Sequence, residues 1–490
     1  MNQTTTLRFF KKSGFLAAAM LVLMVASLLQ RSEKIVTAET PPNFQTARWN
    51  QEPRIFAERR GNPWINVRDG REIITDFAGS SGLRSSFENN QSRPLSLVAA
   101  DFDEDGTPDI IAGYAGDESG AATFLRGNVD AGYPNAPEAK ERRAKGEFTD
   151  APFLSPAQLF TLPTAPDFLA AGDFDADGHF DIAAAARTEN SLYFLKGDGR
   201  GDFVLSKRIE LPGVVTALLA DDFNRRDGLS DLIVAVQNGK DAQVLIYENP
   251  YGAMKAQPEV FNFAAPVKSL AVGLLEGDAR FDLAIAAGNE LAVLRGRDRK
   301  LLLGADGRQA ETVHITRRKF NFQIDALAVG DFFKDKNLKN EIALLTDNGK
   351  IHLLENDGTI NAKGILSAVW RDEKTVALPD NLSNDVAPVM LTARVSARSV
   401  DTLIVGAGEQ IHLLTSDVKP PRSETEKINY DAQKFDVAAS LDVAGKTTAI
   451  VPMRLNIDAL SDLVVMREDS VAPTIVQTAP MATFTVVSNA

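Results

Sequence analysis

Two nine-residue stretches concentrate the side chains able to do chemistry. Asp101-Phe102-Asp103-Glu104-Asp105-Gly106-Thr107-Pro108-Asp109 and Asp173-Phe174-Asp175-Ala176-Asp177-Gly178-His179-Phe180-Asp181 each place acids at positions 1, 3, 5 and 9, with glycine at position 6. Carboxylates crowded on one short loop repel each other unless a hard cation collects them. Ca²⁺ does so with six to eight oxygen ligands at ~2.3–2.6 Å. Side chains at positions 1, 3 and 5 converge from one curled backbone, and glycine at position 6 takes the sharp turn an ordinary residue resists. The carbonyl of position 7 and the carboxylate of position 9 complete the shell. The expectation is Ca²⁺ held by Asp101, Asp103, Asp105, Thr107 and Asp109, and by Asp173, Asp175, Asp177, His179 and Asp181. The competing reading is an acidic, solvated turn that binds nothing. Recurrence of the same spacing, with the same phenylalanine at position 2, weighs against it.

The Asp-x-Asp-x-Asp-Gly start also opens an EF-hand loop, but that motif needs a bidentate Glu at position 12 and flanking helices. Position 12 is Ala112 in one loop and Ala184 in the other. The flanks, such as Leu97-Val98-Ala99-Ala100 and Ile110-Ile111-Ala112-Gly113-Tyr114, are short apolar runs that fit buried strands. The loops are read as strand connections.

The elements that position them recur along the chain. A third copy runs Asp222-Phe223-Asn224-Arg225-Arg226-Asp227-Gly228-Leu229-Ser230-Asp231, one residue longer, with Asp222, Asn224, Asp227 and Asp231 as candidate ligands. A fourth, from Leu274 to Asp282, keeps Glu276, Asp278 and Asp282. Further copies run from Asp331 to Glu341, up to Asp401, and from Arg454 to Asp462. The last acids stand at 109, 181, 231, 282, 341, 401 and 462, giving steps of 72, 50, 51, 59, 60 and 61 residues. Each copy has a small apolar strand before the loop (Phe168–Ala171), one after it (Asp231–Val236), a third beyond a turn (Leu192–Leu195, Val244–Tyr247) and a looser fourth (Phe203–Ile209). Four antiparallel strands at this period describe a β-propeller blade. The fold expected is an all-β, seven-bladed propeller over residues 91–490. Residues 128–158, which widen the first step, read as a surface excursion between blades. Residues 39–90 read as an entry linker that can also supply a strand closing the ring.

The unit resembles the FG-GAP repeat, related to the VCBS repeat, of integrin alpha-subunit heads and bacterial surface proteins. Gly172 to Asp181, Leu195-Lys196-Gly197-Asp198-Gly199 and Phe203 carry the resemblance, which covers roughly residues 90–490. It implies a Ca²⁺ loop between the first and second strands of a blade. The later copies lose acids, and Lys336, Arg398 and Arg454 put positive charge near the loop, so blades five to seven are expected to be metal-free.

Residues 1–38 combine a basic start (Arg8, Lys11, Lys12) with an uncharged run from Ser13 to Leu29. That pattern is an export signal, read either as a signal peptide cleaved near Val36-Thr37-Ala38 or as an uncleaved anchor. The expected location is periplasmic, cell-surface or extracellular, with membrane contact only through that segment. Five Lys/Arg and one Glu lie there, so the rest of the chain carries −17 of a total of −13. So acidic a surface argues against nucleic acid as a partner. With no cysteine, neither disulfides nor a lipidated Cys are available.

Motifs for catalysis are missing: no Gly-x-Ser-x-Gly elbow, phosphate-binding loop or His-Glu-x-x-His occurs. His352 and His412 fall at equivalent places in their copies, which points to a repeated structural role. Arg200-Gly201-Asp202, an adhesion-type tripeptide, falls where the repeat has a hairpin, and is read as a turn. The expected function is a non-catalytic binding or adhesion module for a protein or glycan. The alternatives are a propeller polysaccharide lyase or hydrolase, and a structural spacer.

Overall fold

The computed structural model describes residues 45–46, 48–58, 65–116, 119–224, 227–276, 278, 280–302, 310–334, 339–356, 359–360, 366–367, 370–379, 387–417 and 433–479. Residues 1–38, read above as an export signal, Arg225, Arg226, Lys336 and the apolar stretch 483–487 lie outside these residues. Among the described residues no helix is long and apolar enough to cross a membrane.

The described residues from Arg48 to Val476 form seven sheets of four or five strands, a seven-bladed β-propeller. The first strands are Arg93–Ala100, Phe168–Gly172, Val214–Asp221, Val267–Gly273, Ile324–Gly330, Val389–Ala393 and Thr447–Met453. Each touches the first strand of the next blade, and Thr447–Met453 returns to Arg93–Ala100, so the ring closes. Neighbouring blades come close enough that a Cβ on Gly172 would lie 2.4 Å from the Ser230 side chain.

Second strands are wedged between adjacent blades, which buries both their faces. Asp109–Ala115, Asp181–Ala185, Asp282–Ala287 and Asp462–Arg467 are buried almost throughout, and after the leading Asp they read as nearly continuous apolar runs. The fourth strand sits at the rim; Phe203–Glu210 is mostly exposed and alternates less strictly. Buried clusters such as Phe102, Ile111, Phe124, Ile182 and Leu195 span two blades, so no blade owns its core.

In every blade the second strand begins at position 9 of the acidic loop. That register corrects one boundary: in blade six the strand is Thr402–Ala407, and Thr402 pairs with Ala393 as Asp181 pairs with Gly172. Asp401 is therefore position 8. It bridges to blade five, donating its N–H to the Asp331 carbonyl at 2.7 Å and accepting the Asp331 N–H on its carboxylate at 2.9 Å.

The described residues of the 39–90 segment supply a strand that closes the ring, the second of the two roles expected of it. Arg71–Ile74 is the fourth strand of blade seven, antiparallel to Ser470–Val476, and Arg48–Trp49 pairs outside it. Ile55–Glu58 adds to blade six beside Phe435–Val443, and Phe77–Ala78 adds parallel to the outer strand of blade one, Ala157–Leu162. One N-terminal segment thus laces three blades. The excursion at 128–158 is not between blades either: it interrupts blade one between its third strand, Gly120–Leu125, and its fourth. It carries two short helices. Asn128 caps Val129–Gly132 by accepting the Asp130 N–H, while Pro137–Lys145 starts on proline and ends before Gly146 in the left-handed region.

Candidate metal centres

The loops of blades one, two and three share one backbone design. The position-1 carboxylate accepts two successive backbone N–H groups: Asp101 from Asp105 and Gly106 at 3.1 and 3.0 Å, Asp173 from Asp177 and Gly178 at 3.1 and 2.9 Å, Asp222 from Asp227 and Gly228 at 3.2 and 2.9 Å. The position-5 acid then accepts the N–H two residues on. Gly106, Gly178 and Gly228 all take φ between 86° and 94°, the turn that glycine permits. Phe102, Phe174 and Phe223 at position 2 are buried beneath. The chain curls so that carboxylates face inward.

Oxygens of Asp101, Asp103 and Asp109 converge within 4.8 Å of one another, and so do those of Asp173, Asp175 and Asp177. Asp175 Oδ1 is buried without a hydrogen-bond partner, an acceptor that a cation would satisfy. These donors fit a hard, oxygen-seeking ion in loops one and two. In loop three, both ends of the Asn224 amide are engaged: Nδ2 donates to Glu248 at 2.8 Å, and Oδ1 accepts the Arg297 N–H at 3.2 Å. Thr107 Oγ1 donates to Asp105, and His179 Nδ1 meets Glu104 of the neighbouring loop at 2.6 Å, which raises the histidine's pKa.

Position 9 has a role the spacing did not disclose. Asp109 accepts the Phe102 N–H at 2.9 Å and the Gly127 N–H at 2.6 Å; Asp181 accepts those of Phe174 and Gly197, both at 3.0 Å. Asp282 and Asp462 repeat the pattern in blades whose other acids are reduced. This carboxylate staples its loop to the end of the third strand. The signal was present in sequence, since the acid persists at 282, 341 and 462 where the rest of the loop decays. Burial pushes these groups up, Asp109 to about 8, Asp181, Asp282 and Asp462 to about 6, and Asp231 to about 10.

Cations from the third strand enter three loops. Arg126 pairs with Asp103 and approaches Asp105 at 3.8 Å; Lys196 pairs with Asp175 and with Asp177 at 2.6 Å; Arg295 meets Glu276 at 3.2 Å and Asp278 at 2.9 Å. Arg454, expected inside the seventh loop, instead is exposed, its Nε donating to the Asp458 carbonyl at 3.1 Å. It lines a cavity of about 490 Å³ with Thr107, Asn128, Tyr133, Pro152 and Asn456, where the loops of blades one and seven meet the blade-one insertion. Tyr133 donates its hydroxyl to the Gly106 carbonyl at 3.2 Å, tying that insertion to the first loop.

His352 and His412 each face a hydroxyl across the strand pair, Thr375 at 3.3 Å and Ser440 at 3.1 Å. Arg200-Gly201-Asp202 is a hairpin tip, with the Arg200 and Asp202 N–H groups bonded to Asp198.

No protein-family model matches the chain, and no curated protein matches it. Solved structures share the architecture. One of BBS1N in complex with ARL6DN, soaked with mercury, has a TM-score of 0.47 and 12% identity over 85% of this chain and 97% of that one. A Chaetomium thermophilum Polycomb Repressive Complex 2 structure, bound to GSK126, has a TM-score of 0.50 and 9% identity over 79% of this chain and 95% of that one.

Proposed function

We propose that this protein is an exported, calcium-stabilised β-propeller of the FG-GAP/VCBS type, acting as a non-catalytic binding module for a protein or glycan. The observation that carries the calcium reading is the converging carboxylate set of loops one and two, with the buried, unpartnered Asp175 oxygen. The ligand reading rests on the cavity beside the first loop. It offers the exposed Arg454 guanidinium and the half-exposed Tyr133 ring, groups suited to a sugar or a peptide backbone. Calcium at the first loop would then support the insertion that walls the ligand site.

Calorimetry on the wild type and on Asp101→Ala/Asp173→Ala tests the first half: Ca²⁺ binding is expected in the former and lost in the latter, and equal binding in both sinks the assignment. A glycan and protein binding screen, run with and without chelator, tests the second. Tyr133→Ala is expected to abolish the captured ligand, and capture unaffected by that change rules out the cavity.

A further inference from the structure

Arg126, Lys196 and Arg295 occupy one register position. Each follows the residue that pairs with the start of the second strand: Leu125 opposite Ile110, Leu195 opposite Ile182, Leu294 opposite Leu283. From there each reaches the position-3 and position-5 acids of its own loop. We propose that these side chains are built-in counter-ions: they neutralise the loop when metal is scarce, and Ca²⁺ must displace Lys196 or Arg126 to enter. The inference rests on the calcium reading of loops one and two.

The two states use the same oxygens in exclusive ways. Lys196 holds Asp175 and Asp177, two of the three acids whose oxygens converge in that loop. One ammonium has three donors and one charge, so it leaves Asp175 Oδ1 buried without a partner. A divalent ion with six to eight oxygen ligands would take that atom as well. The loop keeps its shape in either state, because backbone N–H groups, not the cation, hold Asp173 and Asp181.

The release path differs between loops. The Lys196 side chain is 42% exposed on a flexible stem, whereas Arg126 is 28% exposed and grips with a planar fork. Loop two therefore loads first. Blade three provides an internal contrast. Its register equivalent is the acid Glu248, following Tyr247 opposite Leu232. There a cation is recruited from another blade, with Arg299 on Glu248 at 3.3 Å. That arginine meets Glu248 and Glu259 rather than the loop acids, so the counter-ion arrangement described for blades one, two and four is not repeated there.

The test uses the full chain, as wild type and Lys196→Gln, with thermal melts in chelator and calcium titration by calorimetry. Lys196→Gln is expected to melt lower by about 1–3 °C in chelator, to bind calcium about tenfold more tightly, and to recover its melting temperature once loaded. Lys196→Arg should stay close to wild type in chelator. Unchanged calcium affinity in Lys196→Gln overturns the proposal, whatever its melting temperature. If the wild type takes no calcium while Lys196→Gln does, the counter-ion stands and the calcium reading of the native protein falls.

Discussion

Asp462 isolates the stapling role of position 9, because its loop has lost the acid at position 1 and still holds the carboxylate on the N–H groups of Leu455 and Thr478. Burial raises it to about 6 from an ordinary 3.8. Folding therefore favours its neutral form: the stabilisation is complete below 3.8 and is lost as pH rises through about 6. Asp462→Asn removes the charge but keeps one acceptor oxygen where the staple uses two, so melts across pH should show a flatter profile in that window at a lower overall melting temperature. In loops one and two the proposed Ca²⁺ would offset the same burial cost. At ~1 mM Ca²⁺ and a Kd of ~0.1 mM, each occupied loop contributes about 1.4 kcal/mol. Asp101→Ala/Asp173→Ala should therefore abolish any calcium-dependent rise in melting temperature, measured by scanning calorimetry with and without chelator. The acid spacing made these residues legible in the sequence. Arg126 and Lys196 were not, because only strand pairing carries residue 126 to residue 103.

At the scale of elements, the strand Arg71–Ile74 bears the largest structural consequence. Arg467, buried in the second strand of blade seven, pairs with Glu72 on that strand, and also with Asp469 at 2.8 Å. A wholly uncompensated buried charge costs about 3–5 kcal/mol; with Asp469 still in place, removing Glu72 should cost less than that. Glu72→Ala should show that loss in denaturant unfolding, while Glu88→Ala, whose pair with Arg84 is exposed, serves as the comparison. Strand patterns were readable wherever a strand is covered on both faces, as in Asp231–Asn238. The N-terminal strands were not assigned to blades, because two-to-four-residue strands have no period to read, and the partners of Ile55–Glu58 and Arg71–Ile74 lie hundreds of residues away. The insertion helices show the reverse: Pro137 and Gly146 mark a helix locally, yet nothing local places that helix inside blade one.

For the whole molecule, ring closure couples the two ends of the chain. Blade seven combines Thr447–Met453, Asp462–Arg467 and Ser470–Val476 with Arg71–Ile74. A chain starting at residue 91 lacks the outer strand of blade seven and the added strands of blades six and one. Hydrogen exchange on that truncated chain should show lost protection concentrated in Ser470–Val476, with blades two to four retaining theirs. Uniform loss across all blades would mean that the ring unfolds only as one unit.

The sequence by itself determined the repeat, the blade count and the acidic loops, because period, turn glycines and crowded carboxylates are local properties of the chain. Tertiary structure alone decided the rest. It decided which strand completes blade seven, that position 9 is a staple as well as a candidate ligand, and that a lysine or arginine from the third strand already sits among the acids. Those outcomes depend on register between strands and on contacts across blades. Register is fixed by the buried core that neighbouring blades share, and no single repeat contains that core.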